Sequence, residues 1–187
     1  MNNVIGVTGR IGSGKTTVAK MVAEMLGYEY VSADKLVSML YHNPAVRCIL
    51  NKEFGVCSKY EMIEEITTTE RMKRLSDIFH PILVGYFVGF YRLDNCYVIE
   101  IPLLFEYDYD YLFDYIINVQ VSDFGERYKR LIKRGTTKIN AIIIMEELQM
   151  SDEERNERAT HVINNDGTLS ELQDNVYMYE SDLGGLV

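Results

Sequence analysis

The chain has 187 residues, of which 47% are hydrophobic and 25% charged, with only 3 prolines. That length suits one globular domain, and that composition excludes a disordered, collagen-like or low-complexity chain. With 19 Lys and Arg against 28 Asp and Glu the formal net charge is −9, which argues against a protein that wraps duplex nucleic acid by displacing counterions.

Val4-Ile5-Gly6-Val7 reads as a buried first strand. Over residues 16–26 the apolar Val18, Met21, Val22, Met25 and Leu26 recur at helical spacing, and Gly27 is a natural helix stop. A second strand, residues 28–32, leads to Asp34. Residues 35–93 read as several helices in succession, with Pro44 and Pro81 where helices begin and Gly55 where one ends. Strand character returns at residues 97–101 and 115–121, and a last short strand at 161–163. Between the last two lies a basic helical stretch, and after Gly167 an amphipathic helix carries Leu169, Leu172, Val176 and Tyr179. This alternation predicts an α/β fold with a mainly parallel sheet flanked by helices. The core would comprise about residues 1–34, 95–121 and 159–187, interrupted by a helical insertion over about 35–94 and a lid over about 122–150.

Cys48, Cys57 and Cys96 form no C-x-x-C pair and leave an odd thiol, the usage of a reduced intracellular protein. The N-terminus lacks the basic start and long apolar run of a secretory signal. The longest apolar stretch, residues 81–91, is broken by Gly85 and Gly89 and is too short for a membrane span. A cytoplasmic protein with no membrane or nucleic-acid partner is expected.

Residues 9–16, Gly9-Arg10-Ile11-Gly12-Ser13-Gly14-Lys15-Thr16, match G-x-x-x-x-G-K followed by Ser or Thr, between a predicted strand and a predicted helix. Glycines let successive backbone N–H groups converge on one anion, and the helix N-terminus adds its partial positive charge. In such a P-loop Lys15 reaches the β- and γ-phosphates and Thr16 ligates the bridging Mg²⁺. A GTPase switch is disfavoured: Asn51-Lys52-Glu53-Phe54 lacks the aspartate of N-K-x-D, and the one D-x-x-G, at Asp182, lies in the tail. Asp34, after the second strand, sits where open parallel sheets face their ligand. It is either a base that accepts a hydroxyl proton or a helix cap. Arg127, Lys129, Arg130, Lys133, Arg134 and Lys138 cluster within twelve positions, with Arg127, Arg130 and Arg134 on one helical face. They read as a lid over phosphates, or as a solvated face.

Nearly the whole chain resembles the dephospho-coenzyme A kinase family. The resemblance is carried by Thr8-Gly9-Arg10-Ile11-Gly12-Ser13-Gly14-Lys15-Thr16-Thr17, by Ala33-Asp34, by Ile78-Phe79-His80-Pro81 and by Pro102-Leu103-Leu104-Phe105-Glu106. It continues through Arg130-Leu131-Ile132-Lys133-Arg134, Gln149-Met150 and Val162-Ile163-Asn164-Asn165-Asp166-Gly167. It implies a P-loop NTPase fold with a helical CoA-binding insertion and a lid, and transfer of the γ-phosphate of ATP to the ribose 3′-hydroxyl of dephospho-CoA. By the same resemblance Gly12, Ser13, Gly14, Lys15, Thr16 and Thr17 hold ATP, Thr16 holds Mg²⁺, Asp34 is the base and Arg134 a lid arginine. His80, Leu104 and Glu106 become acceptor-side candidates, with a structural histidine and a core role for residues 102–105 as the plainer readings. Asn165 and Gly167 would approach adenine through backbone groups, or simply form a turn. Glu100 is a positional candidate for the Mg²⁺ shell and stays outside the metal set.

This sequence departs from the family pattern in places. Arg10 stands where these kinases usually carry glycine, Ser32 replaces the first acid of D-A-D, no arginine follows Lys35-Leu36-Val37, and residues 56–69 lack a D-R pair. Arg155 and Thr160 replace a common lysine and aspartate. The departures bear on the acceptor side more than on ATP, which keeps another small-metabolite kinase or a non-catalytic ATP-binding protein as alternatives.

Overall fold

A computed structural model describes residues 3–93, 95–135 and 139–184. Five strands form one parallel sheet in the order β2-β3-β1-β4-β5: β1 (Val4–Thr8), β2 (Glu29–Ser32), β3 (Tyr97–Glu100), β4 (Tyr115–Gln120) and β5 (His161–Asn164). The expected parallel α/β architecture holds. β1 is central and buried on both faces, which is why it reads as an unbroken apolar run. The pleat divides its side chains: Ile5 and Val7 join Val98, Ile117, Val119 and Ile163 on one face, while Val4 joins Tyr97, Ile99 and Ile116 on the other.

Helix α1 (Lys15–Leu26) covers the first face with Val18, Ala19, Val22 and Ala23, together with α9 (Leu169–Tyr177) and a short α10 (Glu180–Gly184) that the sequence pattern did not anticipate. Gly27 ends α1 in the left-handed region at φ 70°. The opposite face is covered by the insertion, α2 (Ala33–Leu40), α3 (Pro44–Phe54), α4 (Lys59–Glu65) and α5 (Thr69–Phe90), and by the segment after β3. Pro44 opens α3 and Gly55 closes it. Pro81, expected to begin a helix, instead lies inside α5. Leu75, Phe79, Leu83 and Phe87 recur every fourth residue and are all buried, and burying each such side chain contributes roughly 1.5–3 kcal/mol. That outweighs the one backbone hydrogen bond that proline cannot donate. The basic stretch forms α6 (Phe124–Lys133), followed by α7 (Ile139–Leu148) and α8 (Asp152–Arg158).

β1 lies between β3 and β4, so the chain leaves the sheet centre in opposite directions at its carboxyl edge. That is where open parallel sheets bind ligands. The loop after β1, the start of α2 and the end of β3 all meet there.

Candidate active site

The loop of residues 9–14 turns sharply to feed α1, and its glycines are fixed by what surrounds them. Gly12 (φ 81°) and Gly14 (φ 98°) adopt left-handed backbone; a Cβ would stand 2.7 Å from the Arg127 carbonyl oxygen at Gly12 and 2.3 Å from Asn165 Nδ2 at Gly14. Asn165 Nδ2 donates to the Ser13 carbonyl (2.7 Å), and Ser13 N–H donates to the Arg10 carbonyl (3.1 Å). The loop is thus held from outside, and its concave side is left to a ligand.

Six helices, α3 to α6, α8 and α9, have a side chain capping their first turn: Asn43, Ser58, Thr68, Asp123, Ser151 and Thr168. α1 and α2 do not; Gly14 and Ser32 stand at their N-caps without a side-chain hydrogen bond. Both open at the same cleft, and uncapped N–H groups with an aligned dipole attract anions. Asp34 therefore is not the cap of α2; it lies in that helix's first turn.

The cleft has a volume of about 400 Å³. Gly12, Gly14, Lys15, Thr16, Asp34, Glu100 and Arg134 line its polar end. Its other walls are mostly apolar, with Val37, Met72, Leu75, Phe79, Leu83 and the rings of Tyr107 and Tyr109, beside Ser76 and Gln149. Lys15 Nζ donates to the Arg10 carbonyl (3.0 Å). Burial lowers the Lys15 pKa to about 8, helped by the Arg155 and Arg134 charges and opposed by Glu100 and Asp34. Asp34 faces the cleft's solvent but is walled in by protein, and this burial raises its carboxyl pKa; Glu100 adds to the rise while Lys15 and Lys59 oppose it. The Asp34 carboxyl and the Lys15 ammonium thus titrate closer together than in water, as acid–base sites require.

Thr16 Oγ1 donates to Glu100 Oε1 (2.7 Å) and Tyr30 Oη donates to Glu100 Oε2 (2.6 Å). Glu100 ends β3, a strand buried at all four positions, so its charge sits against the sheet core beside Thr16. A charged residue closing such a strand was the signal for its importance; Tyr30 carried none. Among the described residues no cluster of three His, Cys, Asp or Glu could hold a metal alone. The hydroxyl and carboxylate oxygens of Thr16 and Glu100 suit Mg²⁺, which commonly takes one or two protein oxygens beside substrate phosphates.

The arginine face divides. Only Arg134, the C-cap of α6, lines the cleft. Arg127 is buried and donates to the Ile11 carbonyl (3.0 Å) and to Glu146; Arg130 donates to the Asn165 carbonyl (2.8 Å). Two of the three residues expected to close over phosphates thus brace the loop instead, and Lys138 lies outside the described residues. Asn165 has its N–H on the Gln120 carbonyl (2.9 Å) and its own carbonyl on Arg130, so its backbone groups already serve the protein. Thr17 N–H donates to the Gly14 carbonyl (2.9 Å) within the first turn of α1.

Of the acceptor-side candidates, none of His80, Leu104 and Glu106 lines the cleft itself. His80 stacks behind it on Tyr109 (4.8 Å between ring centres) and against Tyr107 (5.2 Å). Leu104 is fully buried. Glu106 pairs with the fully buried Arg155 and accepts from Met150 N–H (2.8 Å). Arg155 reaches on to Thr8 Oγ1 (2.9 Å), and Thr160 Oγ1 donates to the Ile116 carbonyl (2.8 Å), so both departures from the family pattern are structural ties. The lining residues Pro102, Leu103, Tyr107 and Tyr109 come from the same segment as Leu104 and Glu106.

Residues 3–171 match the dephospho-CoA kinase family model. The chain is 31% identical over 182 residues to the dephospho-CoA kinase of Fusobacterium nucleatum, covering 90% of this chain and 92% of that one. It is 34% identical over 200 residues to that of Chlorobaculum tepidum, covering 95% and 94%. Among solved structures, TT1252 from Thermus thermophilus superposes with a TM-score of 0.77 at 28% identity, over 100% of this chain and 98% of that one. A P-loop opening on a cleft with two carboxylates, and a family match over nearly all of its length, make this chain a member of the dephospho-CoA kinase family.

Proposed function

We propose that this kinase transfers the γ-phosphoryl group of ATP to the ribose 3′-hydroxyl of dephospho-CoA, giving CoA and ADP. The observation that carries the reading is one cleft that joins Lys15, Thr16, Asp34 and Glu100 to an apolar channel. The backbone N–H groups of Gly12, Gly14, Lys15 and Thr16 and the Lys15 ammonium bind the phosphates, while the N–H groups of Ser13 and Thr17 stay on loop carbonyls. Lys15 has three N–H donors, one of which is on Arg10, so the others are free to meet phosphate oxygens. Arg134 adds charge from the lid side. Thr16 and Glu100 would hold Mg²⁺, which supplies neutralisation of charge on the β- and γ-phosphates. Asp34 accepts the proton of the 3′-hydroxyl as that oxygen bonds to the γ-phosphorus and the bond to the ADP oxygen breaks. Its raised pKa brings it nearer the pH at which a base transfers protons efficiently.

The apolar walls suit the long, largely uncharged arm of the acceptor, and His80 and Glu106 act from behind by holding Tyr107, Tyr109 and Arg155. The substrates are small and soluble. No described helix is long and apolar enough to cross a membrane, and none of the three cysteines is in a disulfide, which fits a cytoplasmic setting. A coupled assay of ADP release with dephospho-CoA, shikimate, gluconate and AMP as acceptors tests the proposal. Release with dephospho-CoA alone is expected; release with another acceptor, or ATP binding without acceptor-dependent release, overturns it.

A further inference from the structure

The outer side of the phosphate loop is tied to the lid through its tip. Arg10 Nη2 lies 2.6 Å from Glu146 Oε2 on α7, and the same carboxylate takes Arg127 from α6. Ile11 N–H donates to Gln149 Oε1 (2.7 Å), and the Ile11 carbonyl accepts from Arg127. The side chains are sheltered, with Arg10 24%, Glu146 15% and Arg127 4% exposed. Asp152 adds a through-space attraction for both arginines. Neither Arg10 nor Glu146 lines the cleft. Yet the Arg10 carbonyl, inside the loop, accepts from both Lys15 Nζ (3.0 Å) and Ser13 N–H (3.1 Å). The side chain of Arg10 therefore faces the lid while its backbone faces the lysine.

We infer that Arg10 and Glu146 form a brace that sets the phosphate loop for ATP: Glu146 fixes the Arg10 side chain, and the fixed Arg10 peptide orients Lys15 and Ser13. Glu146 is then a positioning residue contributed by the lid, acting through Arg10, and lid and loop move as one unit. This rests on the reading that Lys15 binds the phosphates of ATP, but not on the identity of the acceptor.

The sign of one substitution separates the brace from simple electrostatics. Removing negative charge beside a polyanion's site should tighten ATP through space, whereas loosening a brace weakens it. Calorimetric titration of MgATP into the intact protein is expected to show about tenfold weaker binding for Glu146→Gln and for Arg10→Ala, with near-original affinity for Arg10→Lys, which keeps the single contact. Because both act through one link, the double variant should lose about tenfold, not a hundredfold. Steady-state KM for ATP should rise in parallel, with kcat and the acceptor KM within about twofold. Arg10 is on the loop surface, so Arg10→Ala decides if Glu146→Gln fails to fold. Titration at high salt removes its through-space component. Unchanged affinity in Arg10→Ala, tighter binding in Glu146→Gln, or multiplying losses would overturn the brace. Absence of ATP binding by the unaltered protein would overturn this and the kinase reading together, whereas binding without dephospho-CoA turnover would overturn only the acceptor.

Discussion

The two ends of the cleft are built on different principles. The end proposed for phosphate is walled mainly by backbone: uncapped helix starts and left-handed glycines, with a lysine held by a carbonyl. The end proposed for the acceptor is walled by side chains from α2, α5 and the segment after β3, most of them apolar and supported from behind by His80, Leu104 and Glu106. Backbone recognition demands fixed residue types at fixed spacing, whereas an apolar wall tolerates many side chains of similar volume. The difference predicts that substitutions at the phosphate end change turnover or ATP affinity, and those at the acceptor end change the acceptor KM alone.

The largest effect expected is that of Asp34→Asn, a loss of about 10²–10⁴ in kcat with ATP affinity within threefold, read by acceptor-dependent ADP release beside direct ATP titration. Retained turnover would remove the base. Gly14→Ala places a Cβ at φ 98° against Asn165 Nδ2, and should lower stability by about 1–3 kcal/mol in denaturant titration while weakening ATP. Met72→Ala, on the apolar wall, should raise the acceptor KM about tenfold and leave the ATP KM unchanged. The smallest effect is expected for His80→Ala, under threefold on the acceptor KM, because the ring stands behind Tyr107 and Tyr109; a tenfold change would return it to direct contact.

Proton titration probes two groups of the polar end together. Asp34 must be ionised to act, so its raised pKa puts the acid limb of kcat/KM above the usual carboxylate range. Lys15 must be protonated to grip phosphate, so the alkaline limb should begin near its pKa of about 8 in the free enzyme. Bound phosphates favour the charged ammonium, so the alkaline limb of kcat should lie higher. A single flat profile from pH 5 to about 10 would contradict both assignments.

The same division decided what could be read from sequence. The P-loop, Asp34 after β2 and the parallel sheet follow from short patterns with a backbone cause. Pro81 inside α5 was not legible because a run of buried residues at four-residue spacing overrides a local breaker. The roles of Arg127 and Arg130 were hidden because a basic face looks alike whether it meets a ligand or a loop carbonyl. Glu100 was legible only by position, and Tyr107 and Tyr109 not at all, since no spacing rule announces a wall built from three distant segments.

The central claim, that one cleft brings the γ-phosphate to a ribose hydroxyl activated by Asp34, is tested most directly by phosphorus and proton NMR of the product formed from ATP and dephospho-CoA. The account predicts ADP and a phosphomonoester on the ribose 3′-oxygen in equal amounts. Inorganic phosphate without a new ester, or an ester at another oxygen, would contradict it.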